Sequence, residues 1–305
     1  MSNPGQKAIL ILGCGYFGKM LAQKLAFSGR FVAGTVRRDV ELSVVRTRGA
    51  EPLIFDGEDY TELERYRGRI GAVVQSIPPT DLEAERVLVE RLHGWGAEQA
   101  LYISSTSVYG DHAGAQVTET SACTPDSPKG RMRLEAEKIW LDSPLPAAVL
   151  RPSGIYGPLR SLLHRVAAGR SRLIGDGEAL TNRIHVADLA SIAAAALKSP
   201  VPGAIWLGTD GAACTQREVA DWIGANFPFR PPTQMSLDEA RVRMDKDAFA
   251  MSVQSKRLDP TETLTRLQVK LQFPDYRAGL KAIWVRERVA LETLAREHGQ
   301  LLEAV

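Results

Sequence analysis

The chain has 305 residues, of which 38 are Lys or Arg and 36 are Asp or Glu, so its formal net charge is only +2. This balance gives no reason to expect a nucleic acid or an anionic membrane as the partner, and we expect a small-molecule substrate instead. The length is sufficient for one large α/β unit, or for a main domain with a smaller lobe.

The three cysteines, Cys14, Cys123 and Cys214, lie far apart and show no CxxC spacing. This pattern predicts neither a metal site nor a disulfide framework, and it favours a reducing compartment. The first seven residues are polar, and no apolar run approaches the length needed to span a membrane. We therefore expect a cytoplasmic protein without a signal peptide or a membrane anchor.

The first predicted elements are a strand, a glycine-rich turn, a helix and a second strand. Residues 8–12 form an apolar run, residues 13–18 contain three glycines, and apolar residues then recur at helical spacing over 17–25. Residues 31–36 predict the second strand. A glycine motif in this context is typical of a dinucleotide-binding turn, whereas the bare motif would not be.

Each glycine of Gly13-x-Gly15-x-x-Gly18 has a physical role in such a turn. The first allows the tight turn, the second allows the backbone to approach a pyrophosphate, and the third allows close packing of helix and strand. The helix start, which includes Tyr16 and Phe17, offers free N–H groups and the positive end of its dipole to the phosphates.

Arg37 and Arg38 follow the second predicted strand, where the residue that discriminates between nicotinamide cofactors usually lies. Arginines at this position favour a 2′-phosphate, so we expect NADP(H), with NAD(H) as the alternative. In that alternative the arginines belong to a solvated loop, and Asp39 or Glu41 contacts a free ribose hydroxyl.

Strand and helix signals continue to alternate with short connections, which predicts a Rossmann-type, doubly wound parallel sheet with a smaller C-terminal substrate lobe. We predict an NAD(P)-binding domain over 1–158, a lobe over 159–285 with elements that return to the core, and an amphipathic helix over 286–305 that packs on its own domain or forms a homodimer contact. The further predicted strands are 51–56, 72–77, 100–104, 147–150, 172–174 and 204–208, and the further predicted helices are 41–48, 60–66, 81–92, 131–141, 162–168, 189–197 and 216–225.

Ligands of such sheets bind at the carboxyl ends of the strands, so the residues just after each strand are binding candidates. Asp56 could accept a hydrogen bond from the adenine amino group, or it could cap the turn that follows it. Ser76, Ile77 and Pro78 are expected under the pyrophosphate and the inner ribose, although a strand ended by proline would explain them equally.

Four motifs follow one another along the chain in an order that is similar to the extended short-chain dehydrogenases/reductases, the NAD-dependent epimerase/dehydratase superfamily. The likeness covers roughly residues 7–285, and the GxGxxG spacing resembles the atypical branch of that family. The motifs are Gly13-x-Gly15-x-x-Gly18, Ser104-Ser105-Thr106-Ser107-Val108-Tyr109-Gly110, Leu150-Arg151-Pro152-x-x-Ile155-Tyr156-Gly157-Pro158 and Arg183-Ile184-His185-Val186-x-Asp188-Leu189-Ala190.

The resemblance implies roles for residues at two strand ends. Ser105 takes the position of the family's catalytic serine, whose hydroxyl donates to a carbonyl or a developing alkoxide. In the alternative, this serine-rich strand end bonds only to backbone. Ser104, beside it, and the backbone of Pro152 and Ile155 are expected at the cofactor, the last two near the nicotinamide carboxamide.

The family's Tyr-x-x-x-Lys pair is replaced here by Lys129 and Arg133. Arg133 can hold ribose hydroxyls but stays protonated. Lys129 could transfer a proton only if burial or the neighbouring cation lowered its pKa, and the pair could instead bind an anionic group of the substrate. Tyr109 and Tyr156 are the other phenols that could donate a proton.

Further along the chain, we expect His185 to be a hydrogen-bonded core residue and Asp188 to be the N-cap of the helix after it. Thr181 stands where members that bind sugar nucleotides often have an arginine, which speaks against a nucleoside-diphosphate sugar. Asn182 and Arg183 are candidates for substrate contact, with a surface salt bridge as the alternative for Arg183.

Together these features predict an NADP(H)-dependent oxidoreductase or epimerase-type enzyme that acts on a small carbonyl or alcohol, which can carry an anionic group. The alternative is a non-catalytic NAD(P)-binding regulatory or sensor protein that has lost the catalytic tyrosine.

Overall fold

The structure is a computed structural model that describes residues 6–302. Within these residues the chain forms fifteen strands, namely β1 (Ala8–Leu12), β2 (Val32–Val36), β3 (Glu51–Ile54), β4 (Ile70–Gln75), β5 (Ala100–Ile103), β6 (Gln116–Val117), β7 (Ala147–Pro152), β8 (Gly154–Tyr156), β9 (Arg172–Ile174), β10 (Leu180–Thr181), β11 (Arg183–His185), β12 (Ile205–Gly208), β13 (Cys214–Thr215), β14 (Thr233–Met235) and β15 (Arg257–Leu258).

The same range contains twelve α-helices and two short 3₁₀ helices, Asp39–Glu41 and Thr106–Tyr109. The α-helices are α1 (Tyr16–Phe27), α2 (Leu42–Arg46), α3 (Thr61–Glu64), α4 (Leu82–Gly94), α5 (Pro128–Leu141), α6 (Leu162–Ala167), α7 (Val186–Lys198), α8 (Gln216–Asn226), α9 (Leu237–Arg243), α10 (Lys246–Val253), α11 (Thr261–Leu267) and α12 (Tyr276–Glu297).

The core is a seven-stranded sheet with the order β12-β7-β5-β4-β1-β2-β3. All neighbouring strands in it are parallel. The chain runs from β1 outward to β2 and β3 on one side and returns to β4 on the other, so the strand order reverses at β1. Such a reversal leaves a crevice at the carboxyl ends of the strands, where ligands of open α/β sheets bind. The predicted Rossmann-type parallel sheet is therefore confirmed.

Helices cover both faces of this sheet because its strands are apolar on both sides. Ile9 and Ile11 of β1 face the layer that contains α1 and α7, whereas Leu10 and Leu12 face the layer that contains α4 and α5. All four side chains are almost completely buried. Each buried Leu or Ile contributes roughly 1.5–3 kcal/mol to folding, so the position of the glycine turn after β1 is strongly determined.

Several helix boundaries differ from the prediction. Helix α5 begins at Pro128 and not at residue 131, because the Ser127 hydroxyl accepts a hydrogen bond from Gly130 N–H at 3.0 Å and proline suits the first helical position. The predicted N-cap at Asp188 is wrong. His185 caps α7 by accepting from Ala187 N–H, whereas the Asp188 carboxylate accepts from Gln272 and Phe273 N–H.

The C-terminal lobe has its own apolar cluster, which includes Leu163 of α6, Val219 of α8, and Leu291 and Ala295 of α12. Helix α12 begins at Tyr276 and packs on α6, so the predicted amphipathic segment packs on its own chain as far as Glu297. Residues 303–305 of the predicted helix lie outside the described residues. Val285 and Val289 on α12 remain exposed, and the homodimer contact stays a prediction. Among the helices of residues 6–302, none combines the length and apolar character that crossing a bilayer requires.

Candidate functional site

The glycine turn lies between the ends of β1 and β4. Gly13 has a φ of 90°, and a side-chain carbon on it would lie 2.9 Å from Ile77 Cγ1. A side-chain carbon on Gly18 would lie 2.5 Å from the Gly13 carbonyl oxygen, whereas one on Gly15 would meet nothing within 4 Å. The first and third glycines are therefore required by packing, and the space above Gly15 is open to a ligand.

The start of α1 is suited to an anion. Gly15 is the N-cap, no side chain bonds the free N–H groups, and no acidic residue lies in the first turn. A pyrophosphate fits this arrangement because the free N–H groups and the helix dipole both favour negative charge. The Phe17 side chain lies in the core, so only its backbone N–H can contribute to binding.

Tyr16 links the glycine turn to the loop after β8. Its hydroxyl donates to the Pro158 carbonyl at 2.9 Å, and the Arg160 guanidinium lies 5.4 Å from the centre of its ring. Burial raises the pKa of Tyr16 to about 12, so the phenol remains a donor at neutral pH. Tyr16 therefore connects the expected cofactor turn to the loop that contains Pro158 and Arg160.

Arg37 and Arg38 are both exposed at the end of β2, and the Arg38 guanidinium lies 3.5 Å from Glu41 in a weak surface pair. Their side chains are free to reorient toward a 2′-phosphate. Asp56 instead caps its turn, because its carboxylate accepts from Glu58 and Asp59 N–H, and these bonds lower its pKa. The structure shows the turn cap at Asp56, and the contact with adenine stays a prediction.

Ser76, Ile77 and Pro78 leave the sheet directly beside the glycine turn. Ser76 N–H donates to the Leu12 carbonyl at 2.8 Å, and Ile77 contacts Gly13. This position agrees with the predicted place under the pyrophosphate, although the assignment itself stays a prediction.

A cavity of about 640 Å³ lies beyond the carboxyl ends of β5 and β7. Ser105 lines it, and the Ser105 Oγ accepts from Ser107 N–H at 3.1 Å, which leaves the hydroxyl proton available to a ligand. Ile155 lines the same cavity. Ser104 is buried and its hydroxyl has no partner within residues 6–302. Pro152 ends β7 in the core and is not in the lining.

The charges that line the cavity all have one sign. The cationic residues are Arg160, Arg165, Arg170, Arg183 and Lys256, and no Asp or Glu of residues 6–302 is in the lining. A cavity whose charged side chains are all cationic attracts anionic ligands.

A second cavity of about 510 Å³ continues from the first into the lobe and shares Arg165, Arg170 and Arg183 with it. Its remaining lining is mainly apolar, including Val219 and Ile223 of α8. The shared arginines therefore lie between a polar end near Ser105 and an apolar end in the lobe.

Lys129 does not line either cavity, and the lowered pKa on which proton transfer would depend is not found. Its side chain is 73% exposed and lies 3.1 Å from Asp247 and 3.8 Å from Asp245. The hydrogen bond to Asp247 and the charge of Asp245 raise the pKa of Lys129. Lys129 thus remains protonated and paired with carboxylates, so neither proton transfer nor anion binding is supported at this position.

Arg133 and Tyr109 also lie outside the cavity lining. Arg133 donates to the carbonyls of Ile103 and Ser104 at 3.3 and 3.2 Å, which supports the end of β5 beside Ser105. Tyr109 is fully buried, with the Arg151 guanidinium 4.8 Å from its ring centre, and burial raises its pKa to about 12. The structure therefore gives no support for direct proton donation by Tyr109, because its hydroxyl is buried away from the cavity.

Some residues in and near β11 lie in the core, and others line the cavities. His185 is buried against Phe273, and burial lowers its pKa to about 4, so the core role is confirmed. Arg183 donates to Cys214 Sγ at 3.1 Å and faces both cavities, so the structure does not have the alternative, a surface salt bridge, and the substrate contact stays a prediction. Thr181 donates to the Cys214 carbonyl at 2.9 Å. The Tyr156 hydroxyl donates to the Asp275 carbonyl at 3.3 Å.

Sequence reasoning missed most of the cationic lining. Arg160, Arg165 and Arg170 recur every five residues, a spacing that matches neither helix nor strand and that could have been noticed. Lys256 was missed as well, since nothing in the local pattern shows that it folds back beside Gly110.

Known proteins resemble this chain along most of its length. The sequence pattern of the NAD dependent epimerase/dehydratase family matches residues 9–208. The protein YeeZ of Escherichia coli strain K12 is 31% identical over 219 residues, which are 66% of this chain and 76% of YeeZ.

Two solved structures share the fold. A functionally unknown conserved protein from Silicibacter pomeroyi DSS is 30% identical, with a TM-score of 0.81 over 92% of this chain and 99% of its own. The human epimerase family protein SDR39U1, solved with NADPH, is 19% identical, with a TM-score of 0.75 over 90% of this chain and 98% of its own. At this low identity the second likeness concerns the fold.

Proposed function

The chain belongs to the NAD dependent epimerase/dehydratase family, and from this premise we propose that it is an NADP(H)-dependent oxidoreductase or epimerase acting on a small anionic carbonyl or alcohol. The observation that carries the proposal is the cavity beside Ser105, which is lined by five cationic side chains and, within residues 6–302, by no carboxylate. When bound, the nicotinamide dinucleotide would supply or accept the hydride.

The chain offers residues for each part of this cofactor. The N–H groups at the start of α1 would bind the pyrophosphate, and the open space at Gly15 would let it approach. Arg37 and Arg38 would bind the 2′-phosphate, because guanidinium groups pair with phosphate oxygens in bidentate geometry. Human SDR39U1, a structural neighbour, was solved with NADPH.

Within the cavity, Ser105 and the arginines would have different roles. The Ser105 hydroxyl would donate to the substrate oxygen and stabilise charge that develops on it. Arg165, Arg170 and Arg183 would bind the anionic group, and the adjoining apolar cavity offers room for a larger substituent. Thr181 offers no cation where sugar-nucleotide members often have an arginine, so we place a nucleoside-diphosphate sugar outside the preferred substrates.

A paired substrate screen tests the proposal. Small keto acids are compared with their uncharged amides, and the loss of NADPH absorbance is followed for each pair. We expect turnover of carboxylates and little turnover of the amides. The double variant Arg165→Gln/Arg170→Gln should raise KM by tenfold or more, since a hydrogen bond to a charged group contributes about 1.5–3 kcal/mol.

The matched control is Arg286→Gln, which removes an exposed cation on α12 that lines neither cavity. It should leave KM unchanged. Equal turnover of acids and amides, or an equal effect of both arginine changes, would contradict an anionic substrate.

A second candidate function is a cofactor-gated binding protein without turnover. It is favoured by one observation, namely that Lys129 at the family's tyrosine position is exposed and paired with Asp247. NADPH binding without consumption across the whole panel, together with a change in the protein's affinity for a partner when NADPH is added, would support this candidate instead.

A further inference from the structure

Lys256 is the most deeply buried cation of the cavity. Its residue is 6% exposed, while its side chain contributes to the lining that also includes Ser105 and Ser107. The ammonium nitrogen donates to the Gly110 carbonyl at 2.6 Å and to Gln254 Oε1 at 2.8 Å. The lysine thus lies between the loop after the catalytic-serine segment and the end of α10.

The backbone around Lys256 is held on several sides. The Asn182 amide donates to the Lys256 carbonyl at 2.9 Å and accepts from Leu258 N–H at 3.0 Å. Strand β15, directly after Lys256, pairs in parallel with β6. Ser255 N–H donates to Asp111 at 2.7 Å. Because the chain is fixed before and after it, the lysine has little freedom to leave the cavity wall.

The hydrogen bonds of Lys256 suit both protonation states. A protonated lysine has three N–H donors, and two of them are used by Gly110 and Gln254. A neutral amine keeps two donors for these acceptors and has one lone pair left. The orientation of Gln254 is itself determined, because its amide nitrogen donates to Asp126 at 2.6 Å and its oxygen must therefore face the lysine. The group can give or take one proton without breaking this network.

We propose that Lys256 is the catalytic acid and base of this cavity, in place of the tyrosine that is missing from α5. In the oxidising direction the substrate carbon would lose a hydride to a bound, oxidised nicotinamide dinucleotide. The hydroxyl O–H bond breaks, its proton passes to the Lys256 amine, and the electron pair left on oxygen forms the carbonyl. The reducing direction returns the proton from the ammonium to the new alkoxide oxygen. This inference rests on the proposed function.

The charges around Lys256 agree with this role. Burial lowers its pKa to about 8, and the carboxylates of Asp126 and Asp111 oppose the decrease. Arg160, Arg165, Arg170 and Arg183 line the same cavity and add positive charge on the ligand side. A group with a pKa near the working pH is suited to general acid and base catalysis.

The first test needs no substrate. In protein labelled with ¹³C at the lysine ε-carbons and loaded with NADP⁺, the Lys256 resonance is assigned by its loss in Lys256→Arg, and its shift is followed against pH. We expect a midpoint near 8, well below an ordinary lysine at about 10.4. A midpoint of 10 or above would overturn the proposal, whether or not the substrate screen succeeds.

The second test uses the keto acid that the screen identifies. Lys256→Arg keeps the charge but cannot release a proton, so kcat should fall by roughly 10²–10⁴-fold, while NADPH affinity and KM change little. Asp126→Asn keeps an acceptor for Gln254 but removes a negative charge, so it should shift the pH profile of kcat to lower pH. Asp238→Asn, an exposed change on α9, should not shift it. Full kcat in Lys256→Arg, or an unmoved profile in Asp126→Asn, would assign Lys256 a structural role only.

Discussion

His185 illustrates how one buried side chain makes folding depend on pH. Its neutral ring caps α7, and burial lowers its pKa from 6.5 to about 4. The unfolded chain therefore binds a proton between these values when the folded protein does not, and stability decreases as the pH falls from 6.5 toward 4.

We expect His185→Asn to remove this dependence, because asparagine can still cap a helix but does not titrate. Urea unfolding at several pH values should show that the free-energy difference between wild type and variant shrinks on the order of 2 kcal/mol from pH 7 to pH 4.5. Parallel pH curves for the two proteins would show that His185 is not responsible.

At the same scale, chemistry could be assigned from the sequence only where it depends on local neighbours. The capping alternative for Asp56 needed only Glu58 and Asp59, and the core role of His185 needed only its apolar neighbours. The surroundings of Lys129 could not be predicted, because its partner Asp247 is 118 residues away in the sequence. No local sequence pattern predicts a contact between residues so far apart.

The glycines of the turn between β1 and α1 are expected to have two different roles, close packing at Gly18 and cofactor binding at Gly15. A methyl group at Gly18 would press on the Gly13 carbonyl oxygen at 2.5 Å, so Gly18→Ala should destabilise the protein by about 1–3 kcal/mol. Gly15→Ala has open space, so its effect on stability should stay below about 1 kcal/mol, yet NADPH affinity should fall about tenfold or more because the methyl group occupies the approach of the pyrophosphate.

Thermal unfolding and NADPH calorimetry on both variants would check this division. Full NADPH affinity in Gly15→Ala, or an equal loss of stability in the two variants, would show that the two glycines do not have these different roles.

Helix α5 and strand β7 are joined by a buried ion pair. Arg151 donates to Glu137 through Nε at 3.0 Å and through Nη2 at 2.6 Å, and both side chains are less than 10% exposed. Arg151→Met should cost about 3–5 kcal/mol, because it leaves an unpaired buried carboxylate, while Glu137→Leu/Arg151→Met should recover much of that loss.

The exposed pair of Lys138 and Glu135 on the same helix is the control, and Lys138→Met should cost less than about 1 kcal/mol. Chemical denaturation of the four proteins measures each value. A double variant no more stable than Arg151→Met would show that the carboxylate is not the source of the loss.

Elements with strong periodicity were predicted well, and their ends less well. The apolar strands and α4 lie close to their predicted positions. In place of the single helix predicted over 41–48, the chain forms the 3₁₀ helix Asp39–Glu41 and the short α2, which ends at Arg46. The early start of α5 depends on the local Ser127 cap, whereas the long α12 depends on packing against α6, which is a tertiary contact.

For the whole molecule, the alternation of strands and helices was sufficient to predict the parallel sheet and its binding edge. The cavity could not be predicted, because its lining joins Ser105, the arginines between residues 160 and 183, and Lys256, which are separate in sequence. The sequence predicted an anionic substrate for a different reason, the pair Lys129 and Arg133. In the structure the cations that line the cavity are instead the arginines between residues 160 and 183, together with Lys256.

The measurement that tests the central claim most directly is calorimetric titration of the purified protein with NADPH, NADP⁺, NADH and NAD⁺, repeated on Arg37→Ala/Arg38→Ala. We predict that the phosphorylated cofactors bind at least tenfold more tightly than the others, about 1.4 kcal/mol, and that the double variant loses this preference while it still binds NADH. Absence of binding for all four dinucleotides would contradict both the cofactor site at the glycine turn and the function proposed from it.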